Sequence, residues 1–162
     1  MKKRLSHYDD KGRPTRVDVS AKPETIRFAR ASVLVRMNAR TRRAVRNNPK
    51  GNPLEIARVA GIAAAKRTSE LIPLCHPLLL THIDVQAEFA REGVRIESLV
   101  RNTGPTGVEM EALTAAAVAA LTVYDMCKAL DHSIEITGLH LVEKAGGRSG
   151  HYRHEGKNSR SQ

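Results

Sequence analysis

The sequence predicts an α+β protein: an antiparallel sheet in the split βαβ order, with helices packed on one of its faces. Three observations predict it. Residues 83–100 alternate apolar and polar positions about an Arg91-Glu92-Gly93 turn, the pattern of a hairpin with one buried face. Two Ala-rich stretches of helical length lie on either side of that hairpin, each with a cap signal at its start. A strand precedes the first helix and another follows the second, so the order runs β-α-(α)-β-β-α-β.

Taken in order, residues 1–22 mix charges with Gly12 and Pro14 and have little periodicity, so a flexible N-terminal arm is expected. One domain over residues 23–150 follows. Ser32-Val33-Leu34-Val35-Arg36-Met37 is short and β-branched, a first strand. Residues 38–47 read as a basic helical turn or two, and Asn48-Pro49-Lys50-Gly51 as a loop. Asn52-Pro53-Leu54-Glu55 opens a helix, with Asn as N-cap and Pro at its first position, expected to run to about Thr68 or Glu70. Ile83, Val85, Ala87 and Phe89 share one face of the next strand, and Val94, Ile96, Ser98 and Val100 one face of its partner. Thr106 with Glu109 three residues on has the form of a capping box, opening a helix over about residues 107–130. Ile134 to Val142 alternates as a last strand interrupted by Gly138. The Gly-rich residues 146–150 and a flexible basic tail, 151–162, are expected to be loose. The uncovered sheet face and the abundance of Ala predict an oligomer.

Composition narrows the function. Trp is absent and aromatics make up 3%, so Ala, Val, Leu and Ile must build the core. Residues 1–50 carry 15 basic and 4 acidic side chains, whereas residues 51–147 carry 8 and 12, so the cationic excess sits at the front of a slightly acidic domain. Such a front attracts nucleic acid or a small polyanion such as a triphosphate. Interleaved aromatics, the stacking platform for bases, are missing. The longest wholly apolar run, residues 115–121, is far short of the ~20 residues of a bilayer span. The basic start has no apolar stretch behind it, so no secretory leader is expected. Two cysteines without a CxxC pair fit a reducing, cytoplasmic setting.

Several residues could carry chemistry. Leu74-Cys75-His76 lies between Pro73 and Pro77, outside any regular element. It is either a rigid connector or a thiol and an imidazole aimed at a ligand. No metal is expected, because neither residue has a second ligand at metal-binding spacing. Glu109 is given a capping role, while Glu111 stands beside a loop whose amides suit an anion. Asp125 and Lys128, at i and i+3, are either a surface salt bridge or an acid–base unit lining a cleft. Lys50, between Pro49 and Gly51, suits a phosphate clamp if it is not merely solvated. Lys144 with Gly146-Gly147-Arg148-Ser149-Gly150 looks like an anion nest.

Five separated motifs together resemble the MoaC family, the cyclic pyranopterin monophosphate synthases of molybdenum cofactor biosynthesis. They are Ala60-Gly61-Ile62-Ala63-Ala64-Ala65-Lys66-Arg67-Thr68, Leu71-Ile72-Pro73-Leu74-Cys75-His76-Pro77-Leu78, Thr106-Gly107-Val108-Glu109-Met110-Glu111-Ala112-Leu113-Thr114, Tyr124-Asp125-Met126-Cys127-Lys128-Ala129 and Lys144-Ala145-Gly146-Gly147-Arg148-Ser149-Gly150. The resemblance runs over residues 17–150. It implies a ferredoxin-like fold, a homohexamer built as a trimer of dimers with sites between subunits, and a lyase. The implied reaction converts 3′,8-cyclo-7,8-dihydroguanosine 5′-triphosphate, supplied by a radical-SAM GTP cyclase, into cyclic pyranopterin monophosphate with release of diphosphate. Asp125, Lys128 and Lys50 would be catalytic. Leu74, Cys75, His76, Glu109, Met110, Glu111, Lys144 and Arg27 would contact substrate. No resident cofactor is implied, and Mg²⁺ with the triphosphate is left open. The tail beyond Gly150 receives no role. The competing class is a non-enzymatic ferredoxin-like module that binds RNA through its basic arm.

Overall fold

A computed structural model describes residues 7–49 and 51–155. The elements are β1 (Thr25–Arg36), α1 (Ala39–Arg46), α2 (Pro53–Lys66), α3 (Thr68–Leu71), β2 (Leu80–Ala90), β3 (Gly93–Gly104), α4 (Glu109–Cys127), β4 (Glu135–Ala145) and β5 (Tyr152–Arg153). Among the described residues, five strands form one sheet in the order β2-β3-β1-β4-β5, with every neighbouring pair antiparallel.

The hairpin lies where the alternation puts it. Val94, Ile96, Ser98 and Val100 are buried on β3, opposite Ala87, Val85 and their neighbours on β2. β1 starts seven residues earlier than the β-branched run suggests. Phe28 and Arg30 alternate there with Ala29 and Ala31, and Ala is a poor strand signal although both are fully buried against the helices. Asn38 caps α1 by accepting from Thr41 N–H at 2.8 Å, and Asn52 caps α2 by accepting from Leu54 N–H at 3.0 Å. The first Ala-rich helix stops at Lys66, and the four-residue α3 follows a break at Arg67.

α2 and α4 pack side by side over the sheet through small residues. Gly61 allows the approach: a Cβ there would lie 2.9 Å from the Ala115 carbonyl oxygen. The Ala119 Cβ would lie 3.3 Å from that same added Cβ, and Ala112, Ala115, Ala116, Ala119 and Ala120 of α4 are all fully buried. α4 is the one helix among the described residues that is long and apolar enough to cross a membrane, a property hidden from a count of unbroken apolar runs. Its buried Ala and Val side chains lie in the core, as expected of a central helix in a globular domain.

Three sequence expectations need correction. Thr106 does not cap α4; the N-cap is Val108, which makes no side-chain cap bond, and Glu109 is already inside the first turn. A tertiary partner takes the Glu109 carboxylate instead, as shown below. The far face of the sheet is not a bare apolar surface, since Arg30, Gln86, Glu88, Arg95, Glu97 and Arg101 are exposed on it. Its most exposed apolar side chain is Ile26 (76%) at the start of β1, while Leu79 (92%) and Val59 (66%) are exposed off the sheet. The tail beyond Gly150 is not wholly loose either, because Tyr152–Arg153 pairs with Glu143 and Lys144 on β4. Phe89 is partly buried against the core beneath Arg46, whose guanidinium lies 4.7 Å from the ring centre, so it offers bases no free stacking face.

Candidate active site

Two cavities meet at the segment that enters α4. Ser98 Oγ donates to the Ala112 carbonyl at 2.7 Å, a buried bond that ties the first turns of α4 to β3 and fixes where that segment lies. Thr106, Gly107 and Glu109 border both cavities.

The smaller recess, about 140 Å³, is walled by His7, Leu74, Cys75, His76, Met110 and Glu111 among others. The loop after α3 presents the Cys-His pair: Cys75 N–H closes a turn on the Ile72 carbonyl at 3.1 Å. His76 Nε2 lies 2.8 Å from the Val17 carbonyl oxygen. A carbonyl only accepts, so Nε2 carries the proton and, in the neutral ring, Nδ1 holds the lone pair. The arm therefore sets the tautomer of His76. Glu111 is 4% exposed, and burial pushes its carboxyl up from an ordinary 4.5 to about 7, with the nearby charge of Glu109 adding to the rise. Near neutral pH it can both donate and accept a proton. Burial, and then the charge of Glu111, raise the Cys75 thiol, which therefore stays protonated.

The larger cavity, about 430 Å³, falls within the usual range of small-molecule sites. Lys22, Arg27 and Arg148 line it. Arg27 is held rigidly: Nε donates to the Gly104 carbonyl at 2.9 Å and Nη2 to the Pro105 carbonyl at 3.0 Å. Gly147, at φ +71°, lies so close to the Arg27 guanidinium that a Cβ would overlap it. Lys144 Nζ donates to Glu109 Oε1 at 2.7 Å and to Ser149 Oγ at 3.0 Å, linking β4, α4 and the Gly-rich loop. A planar guanidinium fixed by backbone carbonyls, with two further cations nearby, is suited to phosphate oxygens.

The structure thus brings Leu74, Cys75, His76, Glu109, Met110, Glu111, Lys144 and Arg27 to one place. It leaves Asp125 and Lys128 elsewhere. Those two form an ion pair at 2.6 Å on the exposed end of α4, with 70% and 54% of their side-chain surfaces open. The hydrogen bond to Asp125, then its charge, raises the Lys128 ammonium. Fourteen residues separate Glu111 from Asp125 on α4, roughly 21 Å of helix. Neither Asp125 nor Lys128 borders the cavities that hold Glu111 and Arg27. Lys50 lies outside the described residues.

Sequence reasoning missed His7, Lys22 and Arg148 as wall residues. Arg148 had a signal, its place within the Gly146–Gly150 nest. His7 and Lys22 had none, because nothing in the arm's local pattern says which cavity it crosses. Among the described residues, no group of three or more His, Cys, Asp and Glu side chains is placed to hold a metal ion.

The family model described as "MoaC family" matches residues 16–147. A cyclic pyranopterin monophosphate synthase of Roseiflexus sp. (strain RS-1) is 56% identical over 152 residues, covering 91% of this chain and 96% of the relative. The synthase of Roseiflexus castenholzii is 56% identical over 150 residues, 90% and 95% of the two chains. That of Heliobacterium modesticaldum is 55% identical over 152 residues, 91% and 96%. The match takes in the sheet from β1 to β4, the Cys-His loop and the entry to α4 that the two cavities share, and on that footing this chain belongs to the MoaC family.

Proposed function

We propose that this chain is a cyclic pyranopterin monophosphate synthase of molybdenum cofactor biosynthesis, a lyase. It rearranges 3′,8-cyclo-7,8-dihydroguanosine 5′-triphosphate to cyclic pyranopterin monophosphate and diphosphate. One observation carries the reading beyond the relatives' names: a cation-lined cavity and a recess holding Glu111 and His76 open onto the same segment, Thr106 to Glu109. A nucleotide has the same two-part chemistry, an anionic chain and a polar ring.

The guanine-derived ring takes the recess, where Glu111 and His76 meet its nitrogens and oxygens. Arg27, Arg148 and Lys22 take the phosphates. Ring opening and reclosure move protons on and off nitrogen and oxygen, work suited to a carboxyl poised near 7 and to the Nδ1 lone pair of His76. In the closing step a sugar-derived hydroxyl attacks the α-phosphorus, the bond to the β-phosphate oxygen breaks, and the hydroxyl proton passes to a base. Charge grows on the departing diphosphate, and fixed cations stabilise it.

Asp125 and Lys128 enter this reading from a second copy of the chain, because roughly 21 Å of helix separates Asp125 from Glu111, and Lys50 is proposed as a further catalytic cation. An isologous contact can bring the Asp125 end of one α4 to the Glu111 end of another. The exposed Ile56, Val59, Leu79 and Leu121 support association of copies, and a homohexamer is the assembly proposed. The β2-β3-β1-β4 order with helices on one face supports a ferredoxin-like fold for the single domain over residues 23–150. Cytoplasmic location and supply of the substrate by a radical-SAM GTP cyclase belong to the same proposal, which needs no resident cofactor.

The test is to incubate the purified chain with the cyclic nucleotide and follow both products. Diphosphate and cyclic pyranopterin monophosphate should appear in equal amounts. Absence of both from folded protein would refute the reading.

A further inference from the structure

β4 does not end the sheet. The chain leaves it at Ala145, crosses the Gly-rich loop and returns as β5, where Tyr152 pairs with Lys144 and Arg153 with Glu143. His154 N–H then donates to the Val142 carbonyl at 2.8 Å. A side-chain bond crosses the same hairpin: His151 Nε2 lies 2.7 Å from Glu143 Oε1 and donates to it. That bond, ahead of the nearby charges of His151, Arg153 and Arg30, holds the Glu143 carboxyl below its ordinary value. Farther out the His154 ring rests 4.7 Å from that of His140. Between the two strands lie Gly147, Arg148 and Ser149, all three walls of the cationic cavity. The family match stops at residue 147, so the return strand lies outside it.

We propose that β5, latched by the His151–Glu143 bond, holds the Gly-rich loop in place over the cationic cavity, which makes His151 a positioning residue for phosphate binding. This rests on the reading of that cavity as the phosphate site. His151 itself is absent from the cavity wall and acts through the loop. A segment with Gly at 146, 147 and 150 has unusual backbone freedom when only one end is fixed. Ordering it at the moment of binding would be charged against affinity. Fixing both ends in advance removes that cost, so the latch acts on binding and leaves the chemical step alone. It also gives the tail a role that the residues alone do not suggest.

The probe is inorganic diphosphate, titrated calorimetrically into the full chain, into full-length His151→Ala and His151→Gln, and into a chain ending at Gly150. The full chain should bind. His151→Ala should bind severalfold more weakly, and His151→Gln, whose amide can still donate to Glu143, should recover most of the loss. The chain lacking β5 should bind roughly tenfold more weakly or worse. In turnover, KM should rise while kcat stays within about twofold. Equal affinity of the full chain and His151→Ala would overturn the latch, whether or not the shortened chain folds, and so would a loss confined to kcat. Diphosphate binding by the full chain together with that equality would leave the phosphate reading standing. No binding by the full chain would remove both.

Discussion

Lys144 on β4 holds Glu109 on α4 through a 2.7 Å ion pair, and both side chains are largely withdrawn from water, at 24% and 30% exposure. The pair fixes the wall that the two cavities share, and it neutralises a carboxylate two residues from Glu111. Lys144→Met should lower kcat/KM by roughly tenfold or more, because it leaves an uncompensated charge at the shared wall. Stability should fall by about 1–2 kcal/mol, on the low side for a charged hydrogen bond since water still reaches both groups. Adding Glu109→Gln to that variant should restore part of the lost stability, as measured by urea unfolding. A double variant less stable than Lys144→Met would contradict the account.

Glu111 makes stability depend on pH in an unusual sense. Its carboxyl is raised in the folded chain, so between pH 4.5 and about 7 the native state binds more protons than the unfolded state. Stability therefore falls as pH rises through that window, and the cost is complete above it, at about 3 kcal/mol for a shift of this size. Glu111→Gln should abolish that slope and be more stable than the parent at pH 8, while losing turnover. Parallel stability–pH curves for the two proteins would show that the carboxyl is ionised at its ordinary value.

Cys75 borders the recess as a protonated thiol, since burial and the charge of Glu111 both disfavour its thiolate. Cys75→Ser should retain measurable turnover. Loss of turnover with substrate binding intact would instead point to a covalent route through sulfur.

How much of this could be read in advance depends on whether the signal was local. The hairpin, the cap at Asn52 and the Ala-rich helices are written in neighbouring residues, and the structure has them where expected. The start of β1 was hidden because its buried face is Ala29 and Ala31, which carry no strand preference. The Thr106–Glu109 box failed for a different reason: Lys144, 35 residues away in sequence, outcompetes the local cap for Glu109. Lys22 and His7 reach the cavities through the path of the arm, and β5 through pairing with β4, none of which leaves a trace in local periodicity. Chemistry-bearing motifs such as Cys75-His76 and Glu109-Met110-Glu111 were legible, but their meeting in space was not.

The central claim is that one substrate is held by the Glu111 recess of one chain and the Asp125–Lys128 pair of another. Subunit complementation tests it most directly: inactive Glu111→Ala and inactive Asp125→Asn proteins are mixed under conditions that exchange chains, and turnover is followed. A shared site predicts that activity returns, because some mixed sites draw both intact residues from different chains. Demonstrated exchange with activity still at background would contradict it.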